Sequence, residues 1–434
     1  MNNQGLLSME SIDFQYPLVY KQLIEVFTKL GKSSSTNDYI DSAIEIAELV
    51  KHGTGMSIRL TFDETGGGAY VMIPQLSAQH PLFTGGIFAL SNVDGLTMIR
   101  KAKRAVSGSV DTKRCRVDGV FKEVTLQIHL PQKRIKDDSM TAEETAAVFL
   151  HELGHGFVYF EYLTRTCTTN QVLAGISKGL DESDTYENKH ILLTETAKTV
   201  GLSSVDISTL AATTDRRTLH TVVIAALNKE YAKETGYDIY DHTANEALAD
   251  QYATRMGAGR ALVTGLDKIY RRSGDMSYRT TPTYLMIEAA KISLLMLTPY
   301  FIVAGAPGFG TLNGYLALVA FSMILNDATE FGMAGHYDMP GDRFKRIRSQ
   351  LVEQLKNRDL DKNEISALTD DIAAIDNLTV AINDRRQFFG VLQDLLTSNR
   401  RFNRDMKLLQ QSLEKLAAND LFVSAARLTV AAKA

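Results

Sequence analysis

Hydrophobic positions along the chain follow two periods, and the switches between them mark its elements. From Pro17 the apolar residues Leu18, Val19, Leu23, Ile24, Val26, Phe27 and Leu30 recur at helical spacing and stop at Gly31. A proline start and a glycine stop predict one helix there. The Ser33–Thr36 run breaks the pattern, and Asp38–Lys51 resumes it through Ile40, Ile44, Ala47 and Leu49 before Gly53, predicting a second helix. Over Ser57–Phe62 the period drops to two; the chain then crosses Asp63, Glu64, Thr65 and three glycines and returns through Ala69–Ile73. That arrangement predicts a hairpin, with both helices packed on the sheet it starts. The glycine run reads as a turn and not a phosphate loop, because no strand-to-helix step and no following Lys accompany it. Val124–Leu130 is the cleanest strand: Val124, Leu126, Ile128 and Leu130 share one face, and Thr125, Gln127 and His129 the other.

Beyond Pro131 the period returns to that of a helix over Thr141–Thr164, the stretch around which the chain is organised. Thr141 with Glu144 forms a capping box, and Ala146 to Leu150 continue without a breaker into His151, Glu152 and His155, an HExxH pattern. Residues four apart on a helix share a face, so the two imidazoles can converge on one ion. A chance HExxH is expected only about 0.01 times in a chain of this length and histidine content. Zinc is the natural candidate: a catalytic zinc takes three protein ligands and keeps a fourth position open, with the motif's carboxylate, Glu152, as general base.

The third ligand is sought among the carboxylates. Asp241–Gly257 places Glu246 and Asp250 four residues apart among the helix formers Ala247, Leu248, Ala249, Tyr252, Ala253 and Met256. On one helix face, Glu246 can complete a His2Glu site while Asp250 accepts the free ring N–H of a ligating His. The competing reading makes Thr243 and Glu246 a capping box at a helix start. No CxxC pair competes for the metal.

The run His151–His155 downstream of a strand, followed by Asn245–Asp250, resembles the gluzincin zinc metallopeptidases. It is similar both to thermolysin's ligand set with its NExxxD helix and to the ExxAD helix of the heat-shock and prenyl-protein peptidase branch, over about residues 140–346. The resemblance implies one zinc per chain held by His151, His155 and Glu246, with Glu152 as base and Asp250 oriented toward a ligating His. It also implies that Val124–Leu130 is a sheet edge receiving extended polypeptide substrate. Oxyanion or substrate contacts are sought at Tyr237, Tyr240 and His242 before the Glu246 helix. They are also sought at His336 and Arg343, in a segment similar to a late His-Pro…Arg-Ile stretch of that branch, although Tyr337, Asp338 and Met339 separate His336 from Pro340. Arg343 and Arg346 serve equally as structural ion-pair partners.

Composition sets the limits. With 434 residues, 44% hydrophobic and 23% charged, the chain is ordinary globular protein with ample core, and a net charge of −4 gives no footprint for nucleic acid. Two cysteines, Cys115 and Cys167, and no charged-then-apolar leader after Met1 fit synthesis in a reducing, cytoplasmic setting. Residues 165–240 contain no proline and read as helices near 170–180, 185–199 and 215–235. Ile292–Asn326 lacks charge but is cut by Pro299, Gly305, Pro307, Gly308, Gly310 and Gly314, so it reads as a buried helical hairpin and not a membrane span. From Leu351 onward, amphipathic helices around Ile365–Leu378, Phe388–Leu396 and Leu409–Leu421 suggest a partner or self-association surface.

The sequence therefore predicts an α+β, predominantly helical protein with a zincin-like core. A small antiparallel-type sheet lies upstream of the active-site helix; residues 1–135 form a helix-and-sheet subdomain, 136–350 the zinc-binding core and 351–434 a helical C-terminal region. The expected activity is zinc-dependent endopeptidase. The alternative is a structural component of a virus particle or other large complex that carries the same zinc-binding core with little turnover.

Overall fold

Ala142–Glu182 forms a single helix of 41 residues, about 60 Å long, in a computed structural model. The residues described are 17–33, 35–64, 68–74, 93–104, 106–112, 114–136, 140–201, 206–235, 244–273, 340–355 and 360–380, with single positions at 282, 286, 289, 293 and 382. The chain divides into two compact units, Met1–Gly265 and Leu266–Ala434. It is mostly helical with a small mixed sheet, an α+β protein.

The first unit runs α1 (Pro17–Gly31), α2 (Thr36–Thr54), β1 (Ser57–Asp63), β2 (Tyr70–Met72), α3 (Gly95–Arg100), β3 (Gly108–Asp111), β4 (Arg116–Gly119), β5 (Thr125–Pro131), α4 (Gln132–Lys136) and α5, the long helix. It continues through α6 (Tyr186–Val200), α7 (Ile207–Ala211), α8 (Arg216–Thr235), α9 (Ala244–Ala253), a π turn (Thr254–Ala258) and α10 (Gly259–Ser273), which passes into the second unit.

Helix α5 starts on the capping box expected from the sequence: Glu144 N–H donates to Thr141 Oγ1 at 3.2 Å and Thr141 N–H to Glu144 Oε2 at 2.9 Å. It continues through Arg165–Thr169, where the sequence pattern predicts a gap, because no Gly or Pro interrupts it. The hydroxyls of Thr164 and Thr168 also find partners within the helix, the carbonyls of Phe160 and Thr164, each at 2.8 Å. Between Glu144 and Val158 every residue except His155 is buried, as befits a helix packed on all sides.

Its neighbours differ from the expected arrangement in two places. Helix α2 packs on β1, but α1 packs on α5 and α2, with Phe27 and Phe149 rings 6.1 Å apart. The stop of α2 is Gly55, in the left-handed region at φ 78°, whereas Gly53 lies inside the helix where a Cβ would overlap Val19. The sheet order is β1-β5-β2, so the expected hairpin is absent: β5 lies between its two arms, parallel to β1 and antiparallel to β2. The reason is register. Pairing with β5 sets Ile58 beside Leu126, Leu60 beside Ile128 and Phe62 beside Leu130 on one face, and still leaves Val71 beside Ile128 from the other side. Val124–Leu130 is thus the centre of the sheet, not its edge. Its apolar face meets α5, where Gly156 leaves room for Leu126. On the opposite face His129 Nδ1 is 3.1 Å from Asp63 Oδ2 and stacks on Tyr70 at 4.6 Å.

The C-terminal half of α5 carries a second core with α3, α6 and α8, built from Ile99, Val172, Ile176, Leu180, Leu192, Leu219 and Val223. Gly95 sits so close to Gly175 and Gly179 that backbone meets backbone.

In the second unit α11 (Pro340–Gln354) packs on α12 (Lys362–Val380). Phe344, Ile347, Leu351, Ile372 and Ile375 are buried, and the Arg348 guanidinium grips both oxygens of Asp376. The expected hairpin at 292–326, apart from position 293, and the helices at 388–396 and 409–421 lie outside the described residues. Among the described residues no helix is long and apolar enough to cross a membrane.

The glycine contact gives a direct test of how α3 meets α5. A Cβ on Gly95 would overlap the Gly179 backbone, which has no side-chain freedom with which to yield. Gly95→Ala should therefore destabilise the protein by about 1–3 kcal/mol, seen as a lower urea midpoint with unchanged slope.

Candidate metal centre

Two helices build the site. Helix α5 presents His151 and His155, one turn apart, with ring centroids 4.7 Å apart and planes at 79°. Helix α9 brings Glu246 and Asp250 across from them. The approach is possible because the residue between the histidines is Gly154: a Cβ there would stand 2.9 Å from both the Cα and the carbonyl oxygen of Ala249. One turn further, Tyr252 of α9 packs on Phe157 at 5.0 Å. The small residues in HELGH and EALAD are therefore what let the two motifs touch.

Two imidazoles and one carboxylate form a compact triangle of polar groups, with one ligand atom from each within 4.8 Å of the others. His151 Nε2 lies 3.2 Å from His155 Nε2, and Glu246 places Oε2 at 3.4 Å from the first and Oε1 at 3.4 Å from the second. His151 Nδ1 is 2.9 Å from Asp250 Oδ1. Asp250 is almost fully buried, and as a carboxylate it accepts, so it fixes the ring proton on Nδ1 and leaves the lone pair of Nε2 directed at the triangle. Imidazole lone pairs and a carboxylate converging at such distances need a proton or a cation among them. Zinc–nitrogen and zinc–oxygen bonds of about 2.0–2.2 Å at tetrahedral angles give ligand–ligand edges of about 3.3–3.5 Å. The separation of the two imidazole nitrogens is close to such an edge, and a Glu246 oxygen lies 3.4 Å from each, so the donor types and their spacing suit the ion.

Glu152 follows His151 directly and is buried, about 100° further round the helix. His151 is buried as well, and His155 partly so. Among the described residues this is the one group of three or more His, Cys, Asp or Glu side chains suited to hold a metal. The two thiols stand apart from it: burial pushes Cys115 and Cys167 each up to about 11, away from the thiolate form that metals bind.

Of the residues singled out in the sequence, the structure brings together His151, His155, Glu246 and Asp250, and buries Glu152, the residue that follows His151. Tyr237, Tyr240, His242, Thr243 and His336 lie outside the described residues. Arg343 belongs to the second unit, where its buried guanidinium donates from Nη1 to the Tyr270 hydroxyl at 3.1 Å. From the sequence Ala249 counts as a helix former and as the small residue of the ExxAD pattern, while Gly154 is given no role; the small size of both inside otherwise bulky helices was the signal for a close crossing.

Gly154→Ala separates geometry from folding. Alanine improves helix propensity by about 1 kcal/mol, yet its Cβ forces α9 away from α5 by several tenths of an ångström, beyond the roughly 0.2 Å that metal–ligand bonds tolerate. Zinc affinity, measured by chelator competition, should fall at least about tenfold while the helical circular dichroism is retained. No family model, curated protein or solved structure matches this chain.

Proposed function

We propose that this chain is a zinc-dependent endopeptidase of gluzincin type with a zincin-like core, acting on polypeptide substrate. The observation that supports it is the triangle of His151, His155 and Glu246 with Asp250 behind His151. Those three side chains would hold one zinc, which when bound supplies a Lewis acid for a scissile carbonyl and makes water more acidic.

The chain's own residues do the rest. Glu152 accepts a proton from water as it attacks and delivers it to the departing amine nitrogen, one carboxylate serving as base and then acid. Asp250 keeps His151 in the tautomer that leaves Nε2 free to ligate. Burial of the site excludes bulk water and strengthens each electrostatic contact. With β5 in the centre of the sheet, extended substrate would pair with the edge of β2, which packs against α5 and exposes Tyr70 and Met72.

A purely structural zinc site has no use for Glu152, and this makes the enzyme reading separable from an assembly role. Glu152→Gln keeps size and helix propensity but removes the base. It should bind zinc like the wild type and lose at least about 100-fold in turnover of an unfolded protein substrate. His151→Ala should lose zinc and turnover together. A wild type that binds zinc and cleaves no unfolded protein would overturn the peptidase reading in favour of a structural component.

A further inference from the structure

The β3–β4 hairpin and the π turn after α9 take no part in the chemistry above, yet they are tied to each other. Arg255, in the π turn, donates from Nη1 to the backbone oxygen of Thr112 at 2.8 Å across 143 residues of sequence. Thr112 is the residue with which the chain leaves β3. Further round the same turn Cys115 takes φ 50°, the one non-glycine residue with positive φ among those described. Its buried thiol lies against the Arg255 guanidinium. Asp111 closes the turn from within, Oδ1 accepting from Arg114 N–H at 3.0 Å. A left-handed conformation at a side chain larger than glycine persists where the surroundings over-determine it, and here the surroundings include a guanidinium that reaches in from the end of the carboxylate helix.

The contact between α5 and α9 shows why such a tie matters. Ala249 over Gly154 sets the separation of the two axes without interlocking, and Tyr252 on Phe157 one turn later is an apolar ring contact that carries no hydrogen-bond register. A slide of one residue displaces Glu246 by about 1.5 Å, enough to break its 3.4 Å approach to each imidazole. Arg255 lies five residues beyond Asp250, about 7–8 Å along the axis, and its bond runs to an element that α5 itself supports, since β3 and β4 pack on that helix. Gly257, at φ 86° inside the π turn, lets the helix widen there before α10 begins.

We propose that Arg255 is a positioning residue for the site: its bond to the Thr112 carbonyl fixes the axial and rotational register of α9, and so holds Glu246 and Asp250 against the two imidazoles. The hairpin is then a brace between the two helices of the metal centre. The proposal rests on the zinc reading above.

The test measures zinc affinity by chelator competition, and the visible spectrum of the cobalt(II)-loaded protein, for the wild type, Arg255→Met and Arg255→Lys. Met keeps the length of the stem and removes the donor; zinc affinity should fall about 10- to 100-fold, the range for loss of outer groups that orient metal ligands, and the cobalt bands should shift as the carboxylate moves. Lys can give one bond to the Thr112 oxygen and should recover most of both. A merely structural arginine would lower the melting temperature of Arg255→Met while leaving affinity and cobalt spectrum unchanged, and that result overturns the proposal. Should Arg255→Met not fold, Asp111→Ala, which loosens the turn that carries Thr112, must weaken zinc binding in the same direction; unchanged affinity there overturns the proposal equally. A wild type that takes up neither zinc nor cobalt overturns the zinc reading and this one with it, and is distinguished by appearing before any substitution is made.

Discussion

The close crossing of α5 and α9 at Gly154 and Ala249 is the constraint on which the rest of the first unit depends. Imidazoles and carboxylates both reach only a few ångströms from their backbones, so a four-residue site made from two helices needs axes closer than ordinary side chains allow. Glycine on one helix and alanine on the other remove the obstruction. The surrounding elements then serve to hold two helices at that separation. Helix α1 packs on one flank of α5 through Phe27 and Phe149, β5 lies on another where Gly156 admits Leu126, and Phe157 receives Tyr252 from α9 itself.

Electrostatics supports the proposed cation. Glu246 and Asp250 bring two carboxylates into a largely buried space against two histidines, and buried charge is costly unless paired or bound to metal. A divalent ion would balance the two carboxylates and give each lone pair of the triangle a partner. Asp250 also shows a division of labour within one helix: the carboxylate nearer the N-terminus of α9 meets both imidazoles, and the one a turn later sets the tautomer of His151.

The site was more legible in the sequence than the fold. Spacings of four residues, His151 to His155 and Glu246 to Asp250, are helix geometry written directly into the chain, and they required only that the two helices meet. The capping box at Thr141 and Glu144 was equally local and equally readable. What the sequence left open was long-range pairing. Alternation over Ser57–Phe62 and Ala69–Ile73 identified strands, but the neighbour of each depended on which register matched most apolar pairs, and β5, arriving over 50 residues later, matched both. The continuity of α5 through Arg165–Thr169 was hidden because its polar residues are satisfied by the helix backbone, which hydropathy does not record. The β3–β4 hairpin, two strands of four residues each, is too short for a period to show, and its tie to Arg255 runs to one backbone oxygen, that of Thr112, which no side chain records.

X-ray absorption spectroscopy of the protein loaded with one equivalent of zinc tests the central claim most directly, because it reports which atoms surround the ion. Two imidazole nitrogens near 2.0–2.1 Å, with the remaining light scatterers at about 2.0–2.2 Å and no sulfur, are the result expected for His151, His155 and Glu246. Sulfur near 2.3 Å, or a shell without imidazole, would contradict it.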